Sequence, residues 1–133
     1  MKKTVLLIDD DQTTLLLVKR YLENSGFDLL TATEARQGLQ LLRDHPKIPV
    51  VLVDYMMPHM TGVEVLHAVQ ELSPPPFILL ISSLPKDQIP SGLHADGFLK
   101  KPISKSHLLE VVEKGIATYN SLKQNGKENH LQD

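Results

Sequence analysis

The 133-residue chain contains no cysteine, which excludes disulfides and thiolate chemistry and suits a reducing compartment. No apolar run approaches the ~20 residues that a membrane span needs. Lys and Arg number 14 against 16 Asp and Glu. With no strongly basic block, the footprint of a nucleic-acid binder is missing, and direct nucleic-acid binding is not expected. At the amino terminus only Val5–Ile8 stands between Lys3 and a run of aspartates, too short for the apolar core of a signal peptide. Internal repeats are absent, and so is any low-complexity tract beyond Pro74-Pro75-Pro76. What remains is one cytoplasmic domain with no membrane partner, long enough to bury roughly two thirds of its unfolded surface.

Strand and helix patterns alternate along this chain. Thr4–Ile8, Asp28–Ala32, Ile48–Val53, Phe77–Ile81 and Gly97–Lys100 are short, apolar and partly β-branched, as buried strands are. Between them, Leu15, Val18 and Leu22 recur at helical spacing, as do Leu39 with Leu42, and Val63, Leu66, Val69 and Leu72. Thr33 is placed to cap the second helix, and Ser104 to cap a last helix carrying Leu108, Val112 and Ile116. Pro85, Pro90 and Gly92 crowd the region where a fourth helix belongs. Proline in a helix interior costs ~3 kcal/mol, so that helix is expected to be short or irregular. The alternation predicts a doubly wound (βα)5 sandwich with a parallel sheet; if its order is the flavodoxin-like 2-1-3-4-5, the switch point lies between strands one and three, which carry the three acids. Residues 3–117 form the predicted domain. Residues 118–133, polar beyond Gly115, are expected to fray or serve as a linker. The first strand begins close to Met1, so the domain is read as standing alone or as the N-terminal module of something longer.

Polar groups end four of the strands: Asp9 and Asp10, then Asp54, then Ser82, then Lys101. Parallel strands bring all of them to one sheet edge, where open α/β sheets bind ligands. A lone Asp after a strand is most often a turn or cap residue, so the joint placement carries the argument. Carboxylates ~4 Å apart repel by about 4 kcal/mol per pair at an effective dielectric of 20, which calls for a cation or a raised pKa. Mg²⁺ (or Mn²⁺) fits, since Mg²⁺ takes one or two carboxylates and leaves room for a phosphate oxygen. Lys101 can reach across about two strand spacings of ~4.8 Å as a point cation for phosphate. Ser82 offers one hydrogen bond, with a plain turn serine as the blander reading.

In this order and spacing, Val5-Leu6-Leu7-Ile8-Asp9-Asp10, Val53-Asp54-Tyr55-Met56-Met57-Pro58-His59-Met60-Thr61-Gly62, Ile81-Ser82-Ser83 and Ala95-Asp96-Gly97-Phe98-Leu99-Lys100-Lys101-Pro102 resemble the receiver domains of two-component response regulators. The resemblance runs from about Lys3 to Gly115. It implies that Asp54 accepts a phosphoryl group from a sensor histidine kinase or phosphotransfer protein, and that the domain catalyses only its own phosphorylation and dephosphorylation. It further implies a metal held by Asp10, Asp54 and the Met56 backbone carbonyl, with Asp9 acting largely through water. Lys101, Ser82 and the Ser83 amide would bind the phosphoryl oxygens, and Ser82 and Phe98 would form the switch. Pro58 and Gly62 match structural positions, and Pro102 matches a proline often found in a cis peptide. Partner exchange with an unspecified downstream protein or effector domain would be the output.

Departures from the family pattern carry their own expectations. Thr61 stands where an acid is common, at no expected cost because that position lies off the metal. Met56 and Leu84 are apolar beside the phosphoryl site, which predicts hindered water and a long-lived phosphorylated form. Ser82 and Phe98 are separated by 16 positions, about a helical turn fewer than usual, so the chain is expected to be a monomer or weak homodimer. A rival reading takes Asp9-Asp10-Asp11-Gln12-Thr13 as the Asp-x-Asp-x-Thr signature of haloacid-dehalogenase-type phosphatases, with Asp9 as nucleophile and Asp11 as acid. That family needs a later strand bearing metal ligands, and no acidic pair of that kind follows Lys101. A second rival is a receiver-like binding module that never takes phosphate. The intact acids, serine and lysine oppose it.

Overall fold

The computed structural model describes residues 3–56, 62–90, 93 and 95–132, with side chains described except at 62, 63 and 125–132. Pro58 and Thr61 lie outside the described residues. Five strands, β1 (Lys3–Ile8), β2 (Phe27–Ala32), β3 (Val50–Asp54), β4 (Phe77–Ser82) and β5 (Gly97–Lys100), form one sheet in the order β2-β1-β3-β4-β5. Every pairing is parallel. The central strands are apolar without alternation because both of their faces are covered. Val5, Leu7, Val50, Leu52, Leu79 and Ile81 point to one face, while Leu6, Ile8, Val51, Val53, Ile78 and Leu80 point to the other.

Helices α1 (Gln12–Glu23) and α4 (Lys105–Gln132) cover the first face through Leu15, Val18, Leu22, Leu108, Val112 and Ile116. Helices α2 (Ala35–Asp44) and α3 (Gly62–Val69) cover the second through Ala35, Leu42, Val65, Leu66 and Val69. Among the described side chains, the stripe of α1, the stripe of α4, and Leu42, Leu66 and Val69 are buried as predicted, while Leu39 and Leu72 are half-buried. Each fully buried Leu or Ile contributes roughly 1.5–3 kcal/mol relative to exposure.

Between β4 and β5 the only helical turn among the described residues is a three-residue 3₁₀ turn, Lys86–Gln88, which is the short, irregular fourth helix expected from the prolines. Its apolar contribution is Ile89, buried on the α2–α3 face. Asp96 fixes the return: its amide donates to the Ile78 carbonyl, and its Oδ2 accepts from the Ile78 amide, both at 2.8 Å.

Two expectations need correction. Thr33 does not cap α2; Glu34 occupies the cap position without a side-chain bond, and the Thr33 amide and hydroxyl both donate to the Gln37 side-chain oxygen at 3.1 Å. The chain also does not lose its helix from Asn120, because α4 runs for 28 residues to Gln132. Gly115 is no stop signal. It lies within α4 where a β-carbon would meet the Phe77 ring at 2.7 Å and Val50 at 3.0 Å, so its lack of a side chain lets the helix seat closely on the sheet. Tyr119, one turn further, is still buried.

Candidate functional site

Strand register delivers the acids to one edge. Ile8 is paired with Val53, so Asp9 and Asp54 follow at the same level. Asp54 in turn is paired with Ile81 and Ser82 with Lys100, which leaves Lys101 one residue past the edge. Asp9, Asp10 and Asp54 each offer a carboxylate oxygen within 4.8 Å of the others. Asp9 is fully buried, Asp54 nearly so, and Asp10 is exposed. An inner pair of acids and an outer one thus line a single pocket.

Lys101 follows β5, two strands away from β3, and reaches this pocket along the same sheet edge. Its Nζ lies 3.0 Å from Asp9 Oδ2, 3.4 Å from Asp11 Oδ2 and 3.5 Å from Asp54 Oδ2. Burial disfavours the ammonium, but Asp9, then Asp54 and Asp11, outweigh it and hold its pKa above the ordinary lysine value. Asp54 Oδ1 accepts the Met56 amide at 3.2 Å. Even so, desolvation and the adjoining Asp9 carboxylate raise the Asp54 pKa to about 7, against the opposing pull of Lys101 and the Met56 amide. Asp9 Oδ1 accepts the Asp11 amide at 2.9 Å. Its Oδ2 meets Lys101 as an ion pair off the direction of a hydrogen bond and keeps unfilled acceptor capacity.

That buried, under-satisfied oxygen amid three hard donors is what a divalent cation fits. Receiver domains typically bind Mg²⁺ at such an aspartate cluster, and these side chains match that chemistry.

The remaining predicted residues surround the pocket. Ser82 is buried, and its Oγ accepts the Leu84 amide at 2.9 Å, so the hydroxyl oxygen is turned into its own loop. Ser83 is exposed. Phe98 is half-buried on β5 beneath the Lys86 ammonium, 5.2 Å from the ring centre. A cavity of about 270 Å³ reaches from Ser82 and Leu84 to Phe98, Pro102 and His107. The two switch candidates therefore share one space. The Lys101–Pro102 peptide is cis, as expected for Pro102, and Gly62 opens α3. Met56 is 60 % exposed and Leu84 half-buried.

Asp11 was missed as a part of this site. It caps α1, its Oδ1 accepting the Thr13 amide at 3.0 Å and its Oδ2 the Thr14 hydroxyl at 2.9 Å. The Thr14 bond, followed by the Thr13 amide and Lys101, holds its pKa below the ordinary value in spite of some burial. An acid followed by two threonines at a strand-to-helix junction is a cap signal visible in the sequence; its reach to Lys101 was not.

Comparison with known proteins agrees with this geometry. The family model described as the response regulator receiver domain matches residues 5–113. The chain belongs to that family. It is 35 % identical over 107 residues to the transcriptional regulatory protein CpxR of Escherichia coli strain K12, covering 79 % of this chain and 45 % of that protein. Over 107 residues it is 31 % identical to the two-component response regulator ORR5 of Oryza sativa subsp. japonica, covering 77 % of this chain and 80 % of the relative. The Vibrio cholerae chemotaxis protein CheY4 superposes with a TM-score of 0.76 at 27 % identity, over 86 % of this chain and 98 % of the other. A receiver domain of an HD-domain protein from Pseudomonas fluorescens Pf-5 gives 0.83 at 21 % identity, over 92 % and 93 %, and speaks for the fold alone.

The chain spans less than half of CpxR. Relatives named as transcriptional regulators withdraw support from the expectation that nucleic acid is no partner. Receiver domains interact with histidine kinases or phosphotransfer proteins and are generally not catalytic enzymes. The dehalogenase rival is set aside: Asp11 and the Thr13 amide are engaged in capping α1, and Asp54 has a place in the pocket. No helix among the described residues is long and apolar enough to cross a membrane.

Proposed function

We propose that this receiver accepts a phosphoryl group on Asp54 from the phosphohistidine of a sensor kinase or phosphotransfer protein, and that the added charge switches a downstream partner or effector domain. The observation that carries the reading is the convergence on Asp54 of two further acids and the Lys101 ammonium at one sheet edge. An ionised Asp54 oxygen attacks phosphorus while the P–N bond breaks and its electron pair leaves with the imidazole, which is protonated from solvent. Phosphoryl transfer of this kind needs mainly positioning and charge neutralisation. Asp10, Asp54 and the Met56 carbonyl would hold Mg²⁺, with Asp9 acting through water, and the ion when bound neutralises phosphoryl oxygens. Lys101 and the Met56 amide favour the ionised Asp54 that the attack requires. Ser82 Oγ accepts the Leu84 amide and keeps its O–H to donate to a phosphoryl oxygen, and the space shared with Phe98 offers a path for a shift of Ser82 to reach the surface. Phosphorylation adds about −1.5 to −2 charge, enough to bias such a two-state element.

Toward outside substrates the domain is no enzyme, and it acts as a cytoplasmic monomer or weak homodimer. The test is Mg²⁺-dependent labelling by a small-molecule phosphodonor. Labelling of the parent and its loss in Asp54→Asn support the reading. Unlabelled parent protein identifies a silent binding module, and labelling that survives Asp54→Asn moves the acceptor elsewhere.

A further inference from the structure

We propose that Asp11 is a positioning residue that sets where the Lys101 ammonium rests and so restrains the pocket's hold on a phosphoryl group; this rests on the reading of Asp54 as phosphoryl acceptor. Of the three carboxylates around Lys101, Asp9 and Asp54 belong to the metal-binding trio and Asp11 does not. A divalent cation among the trio draws on the charges of Asp9 and Asp54, and leaves Asp11 as the anion that Lys101 still faces. Asp11 cannot follow the lysine, because the Thr13 amide and the Thr14 hydroxyl pin its two oxygens to the first turn of α1. A phosphoryl group arriving on Asp54 must therefore draw Lys101 away from a fixed competitor 3.4 Å from its nitrogen. The competitor is a partly exposed carboxylate, 42 % accessible, so its effect is graded rather than absolute.

Asp11→Asn separates this role from capping, because Asn is as good an N-cap as Asp while carrying no charge. The probe is beryllofluoride, a non-covalent stand-in for the phosphoryl group of an aspartyl phosphate, titrated at saturating Mg²⁺ into the parent, Asp11→Asn, Lys101→Met and the double variant. Asp11→Asn is expected to tighten beryllofluoride binding about two- to tenfold. In the Lys101→Met background the same substitution is expected to change nothing. Asp11→Ser, a second competent cap, should repeat the effect.

Equal tightening with and without the lysine overturns the proposal in favour of a general field effect. Unchanged or weakened binding in Asp11→Asn overturns it as well. If Lys101→Met does not fold or binds too weakly, the Lys101 Nζ resonance decides: it shifts in magnesium-loaded Asp11→Asn if the contact is held, and a fixed resonance overturns the proposal. A parent that binds no beryllofluoride, or binds it equally well after Asp54→Asn, fails at the acceptor reading itself and takes the proposal with it.

Discussion

The rim of the sheet and the segment between β4 and β5 lie side by side and are built on opposite terms. At the rim each chemical group sits at a strand end or within two residues of it, so parallel register sets its position to within a side chain's reach. In the neighbouring segment, a three-residue 3₁₀ turn and the buried Ile89 hold what a regular helix would otherwise hold. The comparison teaches that the chemistry rests chiefly on the ends of the buried central strands, whereas the described residues of the neighbouring segment are tied to the core chiefly through Ile89. Substitutions at the rim should accordingly be large in effect, and those in the segment small.

Lys101→Ala should be the most damaging change. It leaves Asp9 buried without a compensating charge, and breaking a buried pair in this way costs about 3–5 kcal/mol. Urea denaturation of the metal-free protein at neutral pH measures the loss, and a loss below about 1 kcal/mol would place the ammonium elsewhere. The same variant should transfer phosphoryl groups from a small donor roughly 100-fold more slowly, as removal of a charge-stabilising donor does.

Asp54→Asn should do the reverse to stability. Folding raises the Asp54 pKa from 3.8 to about 7, so the folded state binds the proton more tightly than the unfolded chain does. The stability is fully present below the unfolded value and is lost as pH rises through the folded one. Metal-free parent protein should therefore weaken between about pH 4 and pH 7, by up to about 4 kcal/mol at 1.36 kcal/mol per unit. Asp54→Asn should remove most of that slope, and Mg²⁺ should raise the midpoint of the parent more than that of the variant. Parallel stability curves for the two proteins would show that the acids do not strain the fold.

Smaller effects should mark the neighbouring segment and the pocket's outer lip. Met56→Asn is expected to shorten the phosphorylated lifetime about twofold to tenfold by easing the approach of water, read as release of label after the donor is removed; the range corresponds to roughly 0.4–1.4 kcal/mol in the barrier. Pro90→Ala should alter stability by no more than about 0.5 kcal/mol and leave the labelling rate unchanged. A large rate change there would mean that the segment steers the chemistry and would dissolve the contrast between the two regions.

Strand order came with the flavodoxin-like fold rather than from a local signal, whereas the identities of the pocket residues were legible because they follow short-range signals: apolar runs of strand length, each ended by a polar residue. Those same signals gave Pro85 and Pro90 as breakers of the fourth helix. Thr33 misled because a neighbouring glutamine, Gln37, competes for its donors. The continuation of α4 past Tyr119 was illegible since Asn120–Gln124 are all exposed, so no burial stripe distinguishes helix from linker over those residues. Lys101 was expected to seek Asp54; it lies nearer Asp9 and also touches Asp11, 90 positions away in sequence. Which of several anions a long, flexible stem meets depends on three-dimensional placement that periodicity does not encode.

Asp96, clamped by two bonds to Ile78 near the start of β4, anchors the start of β5 independently of whatever path the chain takes to reach it. The segment is thus fastened at both ends, with Ile89 as its buried tie to the core between them. A longer helix or a different loop that keeps an apolar residue in the place of Ile89 could be spliced in without displacing the lysine that closes the pocket, so partner recognition and phosphoryl chemistry can be redesigned separately in one small scaffold.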